Sequence, residues 1–482
     1  MEPLTLKQDD TIAAVATPAG CGGIAVIRIS GPESINIVNG AWSGVNLSDV
    51  KSHTSHFGKY ISMAGDTLDE CVATPFIAPH SFTGENTIEL SIHGSIWIQR
   101  EILKDLVSRG ARIAYPGEFT QRAFLNGKLD LSQAEGVADL IASSSKASHD
   151  MALNQLRGNF STYINELRNK LIEFVSLLEL ELDFSEEDVE FADRSALLNL
   201  CSDILKKINS LASSFSKGAA LKDGVPVVIA GIPNAGKSSL LNLLLNDDKA
   251  IVTEMPGTTR DIIEDSIEIE GVKYRFMDTA GLRETSDLVE NIGVERALKE
   301  LKKAYVIIWV IDTTRPLKPQ IDEFQKIEES GISNRVIILL NKSDIKKPED
   351  SFFDVNLEAV PEKSHAANHE VEKLKQLDHP SILFSTKTGE GLEKLLEQLR
   401  NYAVGNTNFE NDMIVTNVRH YEALTKASEA LERAKNAMME GIPSDFVAQD
   451  IRESLHHLGE ITGEITTDTL LSHIFSHFCI GK

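Results

Sequence analysis

The sequence has few of the features that mark secreted or membrane proteins. Only four of its 482 residues are cysteine, and Cys21, Cys71, Cys201 and Cys479 are too far apart for a C-x-x-C pair. Neither a disulfide framework nor a cysteine zinc site is therefore expected. The N-terminus is polar and acidic, unlike a signal peptide. The longest apolar run, residues 305–311, is much shorter than the roughly 20 residues that cross a bilayer. We expect a cytoplasmic protein without a membrane segment.

Positive charge is also scarce. The chain has 48 Lys and Arg residues against 72 Asp and Glu residues, a net charge of −24 at pH 7. When the chain is divided after residues 126, 220 and 400, each part is net negative, so there is neither an acidic tail nor a basic domain. Because nucleic acid is held by local excesses of Lys and Arg, this balance argues against a protein that coats nucleic acid by charge alone.

Proline is missing from two long stretches, residues 117–225 and, except for Pro443, the chain after residue 402. Both stretches are predicted to be helical, because proline lacks the N–H that a helix interior needs. A helix ending near residue 182 is indicated by apolar residues at steps of three and four, namely Leu153, Leu156, Phe160, Tyr163, Leu167, Leu171, Val175, Leu178 and Leu182. Since a one-sided apolar stripe needs a partner, we expect the two helical stretches to pack together around an inserted module.

The first 126 residues follow a different pattern. Short strand-like runs at residues 24–29, 71–76 and 87–92 alternate with Gly and Pro turns, and residues 97–107 predict an amphipathic helix. The fold class expected for the whole chain is multidomain α/β. The predicted parts are an α+β domain, the first part of a helical domain, an inserted module and the second part of the helical domain, at residues 1–126, 127–220, 221–401 and 402–482.

The inserted module opens with a pattern typical of a phosphate-binding loop. Residues 225–230, V-P-V-V-I-A, predict a buried strand, and G-I-P-N-A-G-K-S follows at residues 231–238, leading into a predicted helix. Glycines let backbone N–H groups surround phosphate oxygens. Lys237 neutralises the β- and γ-phosphates, and Ser238 reaches Mg²⁺.

Three further motifs follow in order, each after a predicted strand. They are D-T-A-G at residues 278–281, N-K-S-D at 341–344 and S-T-K at 385–387. An aspartate at residue 344 accepts two N–H bonds from guanine, which adenine lacks, so the expected nucleotide is GTP. The predicted GTP-binding residues are Gly231, Asn234, Ala235, Gly236, Lys237, Ser238, Ser239, Thr253, Thr258, Thr259, Asp278, Thr279, Ala280, Gly281, Asn341, Lys342, Asp344, Ser385, Thr386 and Lys387.

The loop M-P-G-T-T-R-D at residues 255–261 is a candidate switch. A threonine there ligates Mg²⁺ when a γ-phosphate is bound, and Thr259, with Thr258 beside it, is the candidate. Many GTPases place a glutamine directly after D-T-A-G to orient the attacking water, but this chain has Leu282 there. Another residue must orient the water. Four carboxylates follow, and we interpret three of them as ordinary solvated side chains of a helix: the four are Glu284, Asp287, Glu290 and Glu295.

Further motifs lie outside the inserted module. They are T-P-A-G-C-G-G-I from residue 17, F-T-G-E-N from residue 82, I-H-G from residue 92, P-G-E-F-T-Q-R-A-F-L-N-G-K-L-D from residue 116 and F-C-I-G-K from residue 478. Together with the GTPase motifs, they make essentially the whole chain resemble the MnmE (TrmE) family of bacterial and organellar tRNA modification GTPases.

The resemblance implies an architecture and a reaction. The N-terminal domain would be similar to tetrahydrofolate-binding aminomethyltransferases and would form the homodimer, and a Ras-like P-loop domain would be inserted into a discontinuous helical domain. With an FAD- and NADH-dependent subunit of the MnmG (GidA) type, such proteins add an aminomethyl or carboxymethylaminomethyl group to C5 of the wobble uridine of certain tRNAs. Their cofactors are GTP, Mg²⁺, K⁺ and 5-formyl- or methylene-tetrahydrofolate, and tRNA is expected to bind mainly within the complex.

The resemblance also implies roles for individual residues of this sequence. Glu290 would be the catalytic residue that orients water, while Ser238 and Thr259 would ligate magnesium. The potassium ligands would be Asn234, Thr253, Met255 and Thr258, and the folate contacts Arg28, Glu89, Lys128 and Lys482.

Some features keep two interpretations. Cys479 is either a functional thiol near the folate or an ordinary cysteine, and His473 and His477 are metal ligands or, as we favour, structural or surface side chains. The cations Lys426, Arg433, Lys435 and Arg452 fit tRNA contacts or, more simply, an ordinary surface. The alternative function is a ribosome-assembly or signalling-type GTPase switch, although proteins of that kind usually carry a basic RNA-binding module.

Overall fold

The computed structural model describes residues 10–183, 194–246, 250–252, 264–277, 301–329, 335–345, 379–405, 407, 412–478 and 481. These residues form two compact units. The first contains the described residues within Met1–Ala142, Ala152–Ala212 and Arg419–Lys482, and the second contains those within Ser143–Met151 and Ser213–Val418. The four-part domain division predicted from sequence stays a prediction.

Regular elements cover most of the described chain. The helices are α1 (Ser34–Asn39), α2 (Ile96–Ser108), α3 (Glu118–Leu125), α4 (Leu131–Ala142), α5 (Lys146–Leu156), α6 (Asn159–Asp183), α7 (Arg194–Asp223), α8 (Lys237–Leu245), α9 (Leu317–Glu329), α10 (Leu392–Ala403), α11 (Val418–Met439), α12 (Ser444–Thr462) and α13 (Asp468–Ser476). The strands are β1 (Ile12–Val15), β2 (Ile24–Ser30), β3 (Trp42–Ser43), β4 (His56–Ile61), β5 (Thr67–Phe76), β6 (Thr87–His93), β7 (Arg112–Ile113), β8 (Val225–Ala230), β9 (Ala250–Val252), β10 (Glu264–Ile269), β11 (Val272–Met277), β12 (Val306–Asp312), β13 (Arg335–Asn341) and β14 (Ser381–Leu383).

The first unit contains a sheet with the strand order β3-β4-β5-β6-β2-β1-β7. Its strands pair antiparallel except for β1 and β7. Alternate residues of β2 and β6, among them Ile27, Ile29, Ile88 and Leu90, are fully buried, as a half-buried sheet requires. In β2 and β6 the register places Arg28 opposite Glu89.

The helices of the first unit follow the predicted apolar stripe, with one interruption. Phe160, Leu167 and Leu171 are buried along α6, which packs against α12. The stripe predicted one helix from about residue 130 or 150 to residue 182, but the chain breaks between α5 and α6 at Gly158, which has φ of +81°. A left-handed glycine of this kind ends a helix, so the spacing of apolar residues carries over from one helix to the next.

The second unit is built on a sheet with the order β14-β13-β12-β8-β11-β10-β9. Strands β14, β13, β12, β8 and β11 are parallel, and β10 and β9 are antiparallel to their neighbours. Every residue of β12 is buried, and β12 contains most of the apolar run at residues 305–311. Strand β8 lies between β11 and β12, so the connections that follow β8 run to opposite sides of it. Ligands bind beside the carboxyl ends of the strands at such a switch point.

Within the described part of the chain, none of the helices has the length and apolar character that a bilayer span needs.

Candidate functional site

The loop between β8 and α8 has a backbone that glycine makes possible. Gly231 and Gly236 have φ of +137° and +105°, and Asn234 has φ of +63°. A Cβ atom would lie 2.2 Å from the Val310 carbonyl oxygen if added at Gly231. At Gly236 it would lie 2.2 Å from Nδ2 of Asn341. Side chains at these two positions would thus disrupt the loop, which explains the G-x-x-x-x-G spacing.

Lys237 is the first residue of α8, and its ammonium lies over the preceding loop. Nζ donates to the Gly231 carbonyl and, at 2.7 Å, to the Ile232 carbonyl. The exposed side chains of Ser238 and Ser239 follow in the first turn of α8. A cation and the N-terminus of a helix therefore meet at the carboxyl end of β8, which is an arrangement that favours anions.

Asn341, at the end of β13, joins two loops. Its fully buried side chain donates from Nδ2 to the Ala235 carbonyl at 2.7 Å and accepts at Oδ1 from the Thr386 N–H at 3.1 Å. Lys342 follows with φ of +67°, and its Nζ donates to the Asn234 carbonyl at 3.2 Å. The N-K-S-D motif thus holds the phosphate-type loop and the S-T-K loop in fixed relative positions.

Asp344 lies beside the S-T-K loop. Its Oδ1 accepts a hydrogen bond from the buried Ser385 hydroxyl at 2.8 Å. The Ser385 hydroxyl oxygen in turn accepts from the Lys387 N–H at 3.3 Å. One carboxylate oxygen is therefore fixed by the loop, which orients the group for a ligand that donates two parallel N–H bonds.

Asp312 is a residue of this site that sequence reasoning missed. It ends β12, has a buried side chain, and accepts from Lys342 Nζ at 2.7 Å and from the Thr314 hydroxyl at 2.6 Å. Burial alone would raise the pKa of Asp312, but the hydrogen bonds from Lys342 and Thr314 outweigh it and lower the pKa. The available signal was a carboxylate directly after a continuous apolar run, since a carboxylate that closes a buried strand needs a cation.

Three candidate residues of the first unit, Arg28, Glu89 and Lys128, lie around one loop. Arg28 Nε donates to Glu89 Oε1 at 2.9 Å across the strand pair. The Arg28 guanidinium lies 5.4 Å from the centre of the Phe82 ring. Lys128 Nζ donates to the Pro79 carbonyl at 3.1 Å. Residues 79–84 therefore bring Arg28, Glu89 and Lys128 into one region of the sheet surface.

Comparison with known proteins identifies the family. A model described as the MnmE helical domain matches residues 131–479, and one described as the GTP-binding protein TrmE N-terminus matches residues 11–128. The tRNA modification GTPase MnmE of Parabacteroides distasonis is 48% identical over 477 residues, covering 98% of this chain and 100% of that protein. MnmE of Bacteroides fragilis is 48% identical over 477 residues, covering 98% and 99% of the two chains. The chain belongs to the MnmE family of tRNA modification GTPases. It is therefore an enzyme, a GTPase that acts in tRNA modification.

Two motifs that carry the MnmE resemblance are joined by buried ion pairs. Arg122, on α3, is 4% exposed and donates to Glu118 at 3.1 Å and to Glu85 at 3.2 Å. Glu118 is fully buried and also accepts from Arg112 at 2.6 Å. The motifs beginning at residues 82 and 116 thus contribute to one charged network, and the first of them includes part of the loop that contacts Arg28 and Lys128.

Gly481, near the C-terminus, lies beside the same sheet. A Cβ atom at Gly481 would lie 2.2 Å from the Val15 carbonyl oxygen, and Val15 belongs to β1, the neighbour of β2. His473 and His477 are both exposed, with ring centres 4.9 Å apart. Among the described residues, no three His, Cys, Asp or Glu side chains lie close enough together to hold a metal ion, around these histidines or elsewhere.

Several predicted site residues lie outside the described residues. For the nucleotide site they are Thr253, Met255, Thr258, Thr259, Asp278, Thr279, Ala280, Gly281 and Glu290, and for the first unit they are Cys479 and Lys482. Their roles stay predictions.

Proposed function

We propose that this chain is a potassium-activated GTPase that works with an FAD-dependent subunit of the MnmG type. Together they would add an aminomethyl or carboxymethylaminomethyl group to C5 of the wobble uridine of certain tRNAs, with a folate as one-carbon donor. The observation that carries the nucleotide part is the buried Asn341, which fixes the two loops that would hold phosphates and base. The second unit would be a G domain inserted into a discontinuous helical domain.

The residues of the second unit fit GTP and its metal ions. The loop N–H groups and Lys237 would hold the phosphates, Asp344 would accept the guanine N–H groups, and Ser238 with Thr259 would ligate Mg²⁺. The exposed side chain of Asn234 would bind K⁺ together with Thr253, Thr258 and the Met255 carbonyl, and K⁺ supplies positive charge where negative charge develops during hydrolysis.

Glu290 would orient the attacking water in place of the absent glutamine. Leu282 has no hydrogen-bonding group in its side chain. A carboxylate accepts a hydrogen bond from the attacking water and also favours the loss of a proton from that water. Family membership supports Glu290 over the other three carboxylates of this segment.

The surface around Arg28 fits a folate. The Phe82 ring, 36% exposed, lies beside the Arg28–Glu89 pair, so an exposed aromatic face adjoins both a donor and an acceptor. A pterin ring presents a flat face and amide-type edges of the same kind. Lys128 and Lys482 would contact the folate from the loop and the C-terminus.

The complete reaction is tested by reconstitution. We expect the full chain to co-purify with the FAD-containing subunit as a complex built on a homodimer of this chain, in the cytoplasm and without a membrane. Supplied with tRNA, GTP, Mg²⁺, K⁺, NADH, methylene-tetrahydrofolate for the one-carbon unit, and ammonium or glycine for the nitrogen, the complex should add the modifying group, as read by mass analysis of the wobble nucleoside. An unmodified wobble uridine under these conditions, with GTP being hydrolysed, would contradict the modification chemistry.

The folate site has its own test in the full chain. Replacing Arg28 with alanine should weaken 5-formyl-tetrahydrofolate binding by roughly tenfold or more, because one charged hydrogen-bond partner is removed. The control is Arg100→Ala, since Arg100 is an exposed arginine of the same unit paired with Glu101. Equal affinities of both variants for the folate would reject this site.

A further inference from the structure

A basic cavity lies in the second unit, away from the nucleotide loops. Its volume is about 670 Å³, and Arg275, Lys302, Lys303 and Arg335 line it against one carboxylate, Asp223. In a chain with a net charge of −24, four cations around one cavity are a strong local departure from the average.

The cavity lies at the amino ends of the parallel strands, opposite to the nucleotide loops. The lining residue Pro226 begins β8 with Val225, Arg335 begins β13, and Tyr305 directly precedes β12. The Tyr305 N–H donates to the Pro226 carbonyl at 2.9 Å. Because these strands are parallel, their amino ends meet here, whereas the phosphate-type loop and Asn341 follow their carboxyl ends.

Two side chains of the cavity are held in position. The Arg335 guanidinium lies 4.2 Å above the centre of the Tyr305 ring, a stacking that restricts the arginine without neutralising it. Tyr305 is 9% exposed, and its hydroxyl has no hydrogen-bond partner among the described residues. Among the described residues, neither Arg335 nor Lys302 has an ion-pair partner.

The positive charge of the cavity also acts on Lys217, which is next to the lining residue Ser216 in sequence. Burial lowers the pKa of Lys217, and the positive charge of Arg335 lowers it further, with Asp412 opposing. The cations that sequence reasoning considered for tRNA are different: Arg433 is paired with Asp450 and Glu453, and Arg452 with Glu179.

We propose that this cavity binds backbone phosphates of the tRNA substrate. An arginine held in position by stacking, with three further cations around the same cavity, suits phosphate oxygens, and contacts to phosphates position RNA without reading its sequence. The inference takes the substrate class from the tRNA modification activity of the family and is independent of the folate and potassium proposals. It means that the chain itself contributes tRNA contacts, although its overall charge repels RNA.

The test is tRNA binding by the full chain at several KCl concentrations. For the double variant Lys302→Gln and Arg335→Gln we expect about tenfold weaker binding at low salt. We also expect a salt dependence shallower by about one to two ion equivalents, since each lost phosphate contact removes roughly one. Asp223→Asn should bind about twofold to threefold more tightly, and Lys318→Gln, an exposed lysine outside the cavity lining, should bind as the unchanged protein does.

GTP hydrolysis and urea unfolding of each variant show that the fold is intact. The proposal would be overturned if the double variant kept its tRNA affinity and salt dependence while GTP hydrolysis and urea unfolding were normal. Binding of inorganic phosphate that the double variant loses, without any change in tRNA affinity, would also overturn it by assigning the cavity to a small anion.

Discussion

At the scale of single residues, Asn341 has the largest structural task in the nucleotide site. Its one amide group satisfies a carbonyl of the phosphate-type loop and an N–H of the S-T-K loop, and it is fully buried. The sequence motif identified Asn341 as a nucleotide residue. It did not show that the amide acts between the loops. Asn341 is 106 positions from Ala235 and 45 from Thr386, and only the folded sheet brings the three residues together.

Replacing Asn341 with alanine should destabilise the second unit and weaken GTP binding together. The Ala235 carbonyl and the Thr386 N–H would each lose a partner, at a cost of about 1–3 kcal/mol per buried group. Affinity for a fluorescent GTP analogue and urea unfolding measure the two effects. The control, Asn246→Ala, removes an exposed amide at the end of α8 and should change neither. Normal GTP affinity in the Asn341 variant would show that the two loops are positioned without it.

What could be predicted at this scale depended on local chemistry. Gly231, Lys237 and Asp344 belong to short motifs whose spacing reflects one turn of chain. Asp312 could not be assigned in the same way, since its partner Lys342 is 30 residues away and is brought to it only by the adjacent strands β12 and β13.

At the scale of elements, α3 is fastened to the sheet of the first unit by charge. Arg122 lies at 4% exposure among Glu118, Glu85 and Asp10, and Arg112 shares Glu118 and Asp10. Burial would raise the pKa of Asp10, but the hydrogen bonds of Arg112 and Arg122 outweigh it and lower the pKa. The motif P-G-E-F-T-Q-R thus has a structural role in addition to its place near the proposed folate site.

The variant Arg122→Met should unfold much more easily. Removing Arg122 leaves Arg112 to balance both Glu118 and Asp10 and takes a cation away from Glu85, at a cost of about 3–5 kcal/mol. Arg100→Met is the matched control, because the Arg100–Glu101 pair is exposed and contributes less than about 1 kcal/mol. Urea unfolding at neutral pH compares the two. A loss no greater than that of the control would mean that Arg122 is not needed to balance the buried carboxylates.

A second charged contact joins α4 to α11. Glu135, on α4, is 5% exposed and accepts from both Arg419 and His420 at 2.7–2.9 Å. Burial alone would raise the pKa of Glu135, but His420 and Arg419 outweigh it and lower the pKa from 4.5 to about 2. Glu135 and Arg419 are 284 positions apart, so no sequence pattern could have paired them.

The Glu135 contact should make stability depend on acidity. Because the pKa is lower in the folded state, the stabilisation is fully present above about pH 4.5 and is lost as the pH falls towards 2. The shift corresponds to about 3 kcal/mol. In Glu135→Gln the free energy of unfolding should therefore be lower near neutral pH and fall less between pH 5 and 3. A variant whose unfolding free energy follows the unchanged protein over this interval would disprove the contribution.

At the scale of the whole molecule, composition predicted part of the fold, and family motifs predicted the function. Where the structure describes them, the proline-poor stretches are mainly helical as expected, from α3 to α7 and from α11 to α13. Family motifs predicted the GTPase and its tRNA substrate, which family membership confirms. The net charge predicted only that this chain does not hold RNA by bulk charge. It could not show the basic cavity, because Arg275, Lys302 and Arg335 are separated in sequence and meet at the amino ends of parallel strands.

The central claim, a tRNA modification GTPase activated by potassium, is tested most directly by the rate of GTP hydrolysis in KCl and in NaCl at equal ionic strength. The full chain should hydrolyse GTP at least about tenfold faster in K⁺, because a positive charge worth at least about 1.4 kcal/mol is added at the transition state. Asn234→Ala should lose most of this difference. Equal rates in the two salts would contradict the account.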